Sequence, residues 1–73
     1  MEGRRYRLVV KGELSNALGP AFVGMTLARK GGNTELVGPV RDQSELQGLF
    51  QRLTDLGLTL LSASDIDDEQ QQH

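Results

Sequence analysis

The chain predicts an α+β fold of order βββαβ, a mixed four-stranded sheet with one helix packed on one face. Three observations carry that expectation. Residues 4–14 alternate with period two, so Tyr6, Leu8, Val10 and Leu14 face one way and Arg5, Arg7, Val9, Lys11 and Glu13 the other. Residues 46–56 change to helical spacing, with Leu46, Leu49, Phe50, Leu53 and Leu56 gathered within about 120° of one another. Between these runs, Lys30-Gly31-Gly32-Asn33 supplies the positive-φ positions of a hairpin turn.

Taken in order, residues 4–14 are a half-buried first strand with a charged outer face. Residues 15–21 (Ser-Asn-Ala-Leu-Gly-Pro-Ala) are punctuated as a loop, with Leu18 placed to tuck under the sheet. Residues 22–29 form the second strand, with Val23, Met25 and Leu27 on one side. Residues 34–38 form the third, which Pro39 ends because proline cannot donate to a ladder. Asp42 is the expected helix N-cap, with Glu45 three residues on completing a capping box; Ser44 with Gln47 offers a second register. Gly57 is the expected left-handed residue that closes the helix. Residues 58–63 are a last short strand. A helical crossover makes the third and fourth strands parallel, with the fourth expected beside the first.

Seventy-three residues allow one small domain, expected over 1–63, followed by a disordered acidic tail over 64–73. All eight basic side chains and six of the ten acidic ones lie in residues 1–64, so the body is weakly positive although the whole chain carries −2. That is far from the strongly basic balance of a dedicated nucleic-acid binder. There is no cysteine, and His73 is the single histidine, so disulfides, thiolate metal sites and histidine clusters are absent from the sequence and neither a metal nor a cofactor is expected. The first residues do not read as a secretory leader and no apolar run approaches a membrane span, so the expected setting is cytoplasmic. A core of this size rarely supplies more than roughly 3–5 kcal/mol, which favours support from a partner chain.

With Leu8, Val23, Leu36 and Leu60 toward the helix, the other face shows Arg5, Arg7, Val9, Lys11, Thr26, Ala28, Glu35, Val37, Thr59 and Leu61. A face this mixed suits association better than catalysis. Val9, Thr26, Ala28, Val37, Thr59 and Leu61 are therefore the candidate interface residues. Gly48 joins them because a glycine inside a helix costs roughly 0.5–1 kcal/mol and here lies opposite the apolar stripe, although a tolerated surface glycine is the plainer reading. Arg5, Arg7, Lys11 and Arg29 are the candidate basic patch. With so few aromatic residues it would stack bases poorly, and a solvated face is the plainer reading. Asp42 and Gln43 could meet an anion at the helix start, against the plainer reading of a cap with a solvated neighbour.

Residues 36–62, with Gly38-Pro39-Val40-Arg41-Asp42-Gln43, Leu46-Gln47-Gly48-Leu49 and Asp55-Leu56-Gly57-Leu58-Thr59-Leu60-Leu61-Ser62, carry a further signal. They resemble a group of small, functionally uncharacterised bacterial proteins common in high-GC Gram-positive bacteria. Histidine often stands in that group where this chain has Gln47, so an imidazole role at that position would be missing here. The resemblance implies a stand-alone domain and no particular activity.

The expected function is a non-enzymatic interaction module, homodimerising through the open sheet face or an edge strand. The alternative is an accessory protein binding nucleic acid or an anionic partner through the Arg5–Arg7–Lys11 stripe. An enzyme would need a carboxylate or lysine pocket, and a deep pocket lined by Arg41, Asp42 and Gln43 is where it would lie.

Overall fold

The computed structural model describes residues 4–67, which build one open four-stranded sheet and one α-helix. The strands are β1 (Arg4–Lys11), β2 (Thr26–Lys30), β3 (Asn33–Val40) and β4 (Leu60–Asp65), and the helix is α1 (Gln43–Asp55). The fold is α+β, with sheet order β2-β3-β1-β4.

β1 runs antiparallel to both of its neighbours, β3 and β4, and β2 runs antiparallel to β3. The third and fourth strands therefore point the same way, as a helical crossover requires. The first strand lies between them, so every hydrogen-bonded pair is antiparallel and the sheet is not mixed. The fourth strand does pair with the first.

Several boundaries differ from expectation for local physical reasons. β1 stops at Lys11 because Gly12 turns to φ 91°, although Leu14 still reaches the core at 8 % exposure. The segment expected as a loop and the start of a strand is a 3-10 turn, Asn16–Phe22, and Phe22 at its end is 1 % exposed. Leu18 packs partly buried against the same core. Val23, expected to meet the helix, is 86 % exposed and precedes β2. β3 runs through Pro39, which is tolerated because β2 begins opposite Val37 and leaves β3 with one neighbour beyond that point. Gly38 has a requirement of its own: a Cβ there would stand 2.9 Å from the Gly24 carbonyl oxygen and 2.9 Å from Met25 Cγ.

The β2–β3 connection is the expected two-residue turn, with Gly31 at φ 57° and Gly32 at φ 84°, the sign that a type I′ hairpin demands at both positions. At the helix start, Asp42 is extended and its carboxylate accepts the Glu45 N–H at 2.9 Å, so the cap is Asp42 and not Ser44. The Glu45 carboxylate accepts from the Arg41 N–H at 2.6 Å, one residue earlier than a capping box predicts. The helix closes by a complete Schellman pattern, with the Gly57 N–H donating to the Thr54 carbonyl and the Leu58 N–H to the Leu53 carbonyl. Leu58 then packs against the core beside that same last turn.

The core lies between the sheet and α1. Leu8, Val10, Leu36 and Thr34 are fully buried, with Phe22, Leu53, Val40, Leu49 and Leu14 around them. Of the expected helix stripe, Leu49 and Leu53 are buried and Leu46 and Phe50 half-buried, whereas Leu56 at the C-cap is 42 % exposed. Leu60, also expected under the helix, stands at the rim at 36 %. Thr34 is the buried polar member and is fully used: its Oγ1 donates to the Gly12 carbonyl at 2.8 Å and accepts the Leu14 N–H at 2.9 Å.

The first residues of the expected acidic tail, 64–67, belong to the fold. Ser64 and Asp65 belong to β4, and Ile66 is buried at 8 %. Asp65 pairs with Arg4 at 3.1 Å, and Asp67 accepts from both the backbone N–H and the guanidinium of Arg5. These bonds hold the end of β4 to the start of β1. The remainder of that expected tail, 68–73, lies outside the described residues.

Candidate interaction surface

Residues paired across antiparallel strands share a face of the sheet, so the register decides which candidates meet. One outer row reads Thr26, Val37, Arg7 and Ser64, and the next reads Ala28, Glu35, Val9 and Ser62. Four of the seven interface candidates, Val9, Thr26, Ala28 and Val37, therefore stand together on the face away from α1. Val9 and Val37 are half-buried among their neighbours, and Thr26 and Ala28 are exposed.

The other three lie elsewhere. Thr59 precedes β4, and its carbonyl accepts the Lys11 N–H at 2.9 Å. Leu61 sits in β4 where the register shifts by one residue, since Val9 pairs with Ser62 and Val10 with Leu60. The side chain freed by that bulge is 50 % exposed. Gly48 is on α1, on the opposite side of the sheet from Val9 and Val37, and apart from its chain neighbours and the helix's own backbone no atom lies within 4 Å of where its Cβ would be. It borders a shallow groove with Val23, Met25, Pro39, Leu49 and Arg52.

The basic candidates divide as well. Arg7 is in the first outer row, and Lys11 stands in a third with Asn33 and Lys30. Arg5 is held by Asp67, whose carboxyl lies below its ordinary value of 3.8 because it accepts the Arg5 backbone N–H and then the Arg5 side chain. Arg29 is opposite buried Thr34, on the helix side, and its Nε donates to the Leu14 carbonyl at 2.8 Å. It braces the loop after β1 and does not extend the patch.

At the start of α1 an open cleft of about 360 Å³ is lined by Arg4, Tyr6, Val40, Arg41, Asp42, Gln43 and Leu46. It holds the residues named for an anion or an enzyme pocket, and Arg4, Arg41 and Asp42 of its lining are engaged in structural roles. Asp42 caps the helix, Arg41 Nη2 stands 3.6 Å from Glu45 Oε2, and Arg4 pairs with Asp65.

Sequence reasoning missed three features: the β1–β4 ion pairs, the Thr34 clip and the bulge at Leu61. A legible trace existed only for the first, since Ile66 is an apolar residue set among aspartates, across from an Arg-Arg pair.

No helix among the described residues is long and apolar enough to cross a membrane. No curated protein and no solved structure matches the chain. Residues 5–64 match a family described as a domain of unknown function (DUF8691), a span that begins in β1 and ends in β4 and so takes in the helix and all four strands. The chain belongs to that family of uncharacterised domains.

Proposed function

We propose that this protein is a non-enzymatic interaction module that homodimerises through the open side of its sheet, by the outer face or by an edge strand. One observation carries the reading: α1 and the 3-10 turn place their buried residues on one face, and among the described residues no element lies over the other. Val9 and Val37 on that bare face are apolar groups of the kind that a partner removes from water at roughly 25 cal/mol per Å². The engagement of Arg4, Arg41 and Asp42 in caps and ion pairs supports a binding role over a catalytic one. The resemblance of residues 36–62 to small proteins of high-GC Gram-positive bacteria supports a bacterial source, and the charge and apolar pattern of the chain a cytoplasmic setting.

Light scattering after size exclusion, at high micromolar concentration, tests the reading. A mass near twice the 8.0 kDa of one chain is expected, and a mass of one chain contradicts it. The Lys11–Asn33–Lys30 row with Arg7 favours a second reading, in which the outer face meets nucleic acid or another polyanion. It predicts a salt-sensitive shift in a low-salt gel assay that Arg7→Glu with Lys11→Glu abolishes. No shift at low salt ends it.

A further inference from the structure

We infer that two copies of this chain join through β4, antiparallel edge to edge, into one eight-stranded sheet with both helices on the same face; this rests on the homodimer reading above. The sheet ends in two edges, and they differ. β2 is five residues long and carries Arg29 and Lys30, the short, charged edge that resists pairing. β4 is six residues long and has no charged or proline residue from Leu60 to Ser64. Its length, ~20 Å at ~3.4 Å per residue, is ample for a strand ladder.

Among the described residues nothing roofs β4 on its helix side. Ala63 pairs with Leu8 and so lies on the helix side, yet Leu8 is fully buried and Ala63 is exposed. The helix roof therefore ends over β1. Glu45, Gly48, Leu49 and Arg52 border the groove beside Val23 and Met25, which places that flank of α1 toward β2. Leu46 lines the cleft that holds Tyr6 of β1, and with Phe50 it lines a second cleft along the opposite flank. Leu46 and Phe50 thus lie on the flank of α1 away from β2, the side on which β4 stands with Leu60, Leu61 and Ala63 exposed. The strip of sheet from that flank to the β4 edge is an open trough, unroofed among the described residues.

The occupant follows from geometry and charge. Only a strand can satisfy an edge ladder. Pairing two β2 edges over all five residues would set Lys30 opposite Thr26 and Arg29 opposite Leu27, placing four cations and no acidic residue on one short ladder. Pairing β2 to β4 is head-to-tail and leaves each end open to grow. Pairing β4 to β4 closes as a dimer and brings no charge against like charge over Leu60–Ser64. Its twofold axis stands perpendicular to the sheet, so the two troughs meet on the same face. Leu60 and Ala63 of both copies are then covered between the two helix flanks. A minimal specific interface needs roughly 500 Å² per copy, about a tenth of the 4949 Å² that one chain exposes.

Sedimentation equilibrium on wild type, Ala63→Arg and Val37→Lys tests the inference, with amide hydrogen exchange of wild type at high and low concentration beside it. Ala63→Arg should weaken the dimer at least tenfold with the melting temperature of the dilute monomer kept, Val37→Lys should leave it intact, and the outward β4 amides, those not bonded to β1, should gain protection with concentration. A dimer that resists Ala63→Arg but yields to Val37→Lys overturns the edge inference while the homodimer reading stands. A wild-type monomer at all concentrations overturns both. In that case protection at high dilution of the outward β4 amides, those not bonded to β1, would assign the edge to the chain's own segment 68–73.

Discussion

Val9 and Val10 are the same side chain at successive positions of one strand, and they meet different fates. Val10 exposes no surface, whereas Val9 stays only half-buried. The same contrast runs along β3, where Thr34 and Leu36 are fully buried and Glu35 and Val37 are not. The strand pattern sorts residues onto two faces, but burial is conferred by what lies on top. Here α1 and Phe22 cover one face, and among the described residues no element covers the other. Under the proposed edge-to-edge dimer, stability rests on the roofed part of the sheet and association on the β4 edge beyond it. Changes to one should leave the other alone.

The strongest way to break that division is at the roofed face. Leu36→Ala removes a fully buried side chain and should cost about 2–5 kcal/mol in urea denaturation, most of what a domain of this size holds. A loss near zero would mean that the core lies elsewhere. Gly38→Ala should cost about 1–3 kcal/mol, because the added methyl meets the Gly24 carbonyl and Met25, unless that segment moves aside. Thr34→Val keeps the shape but strands the Leu14 N–H and the Gly12 carbonyl, and about 1–3 kcal/mol should be lost in thermal unfolding. On the bare face, Ala28→Ser should stay within about 0.5 kcal/mol by the same measurement.

The smallest effect is a titration. The Asp67 carboxyl is held below its ordinary value of 3.8 by the Arg5 backbone N–H and then the Arg5 side chain. A depressed carboxylate contributes stability above its unfolded value and loses it as pH falls through the folded one. The Arg5 amide proton, followed by NMR, should therefore titrate with a midpoint below 3.8. A midpoint at or above it would remove the clamp between β1 and β4.

Much of this fold was legible because its signals are local. Asp42 and Gly57 mark the helix ends through backbone hydrogen bonds that a few neighbouring residues decide, and Gly31-Gly32 fixes a hairpin in the same way. The helix stripe was legible in part, since Leu56 has the right spacing but sits past the last helical turn. Long-range facts were not legible. Nothing near Val23 announces that Gly24 turns to φ 88° and that its carbonyl crosses over Gly38, which throws Val23 outward. Nothing near Arg29 shows that Leu14 will need its Nε. The last strand was placed two residues early because the residues that end it, Asp65 to Asp67, look like solvated tail until Arg4 and Arg5 are set beside them. For the candidate surface, period-two alternation found Val9, Thr26, Ala28 and Val37. The exposure of Leu61 depends on a bulge that only the pairing with β1 reveals.

A dilution series of two-dimensional amide spectra tests the division of labour most directly. The amides whose shifts move with concentration should map to β4 and the trough beside it, while those of Leu8, Leu36 and Leu53 stay fixed. Spectra unchanged from tens of micromolar to millimolar, or shifts centred on the buried face, would contradict it.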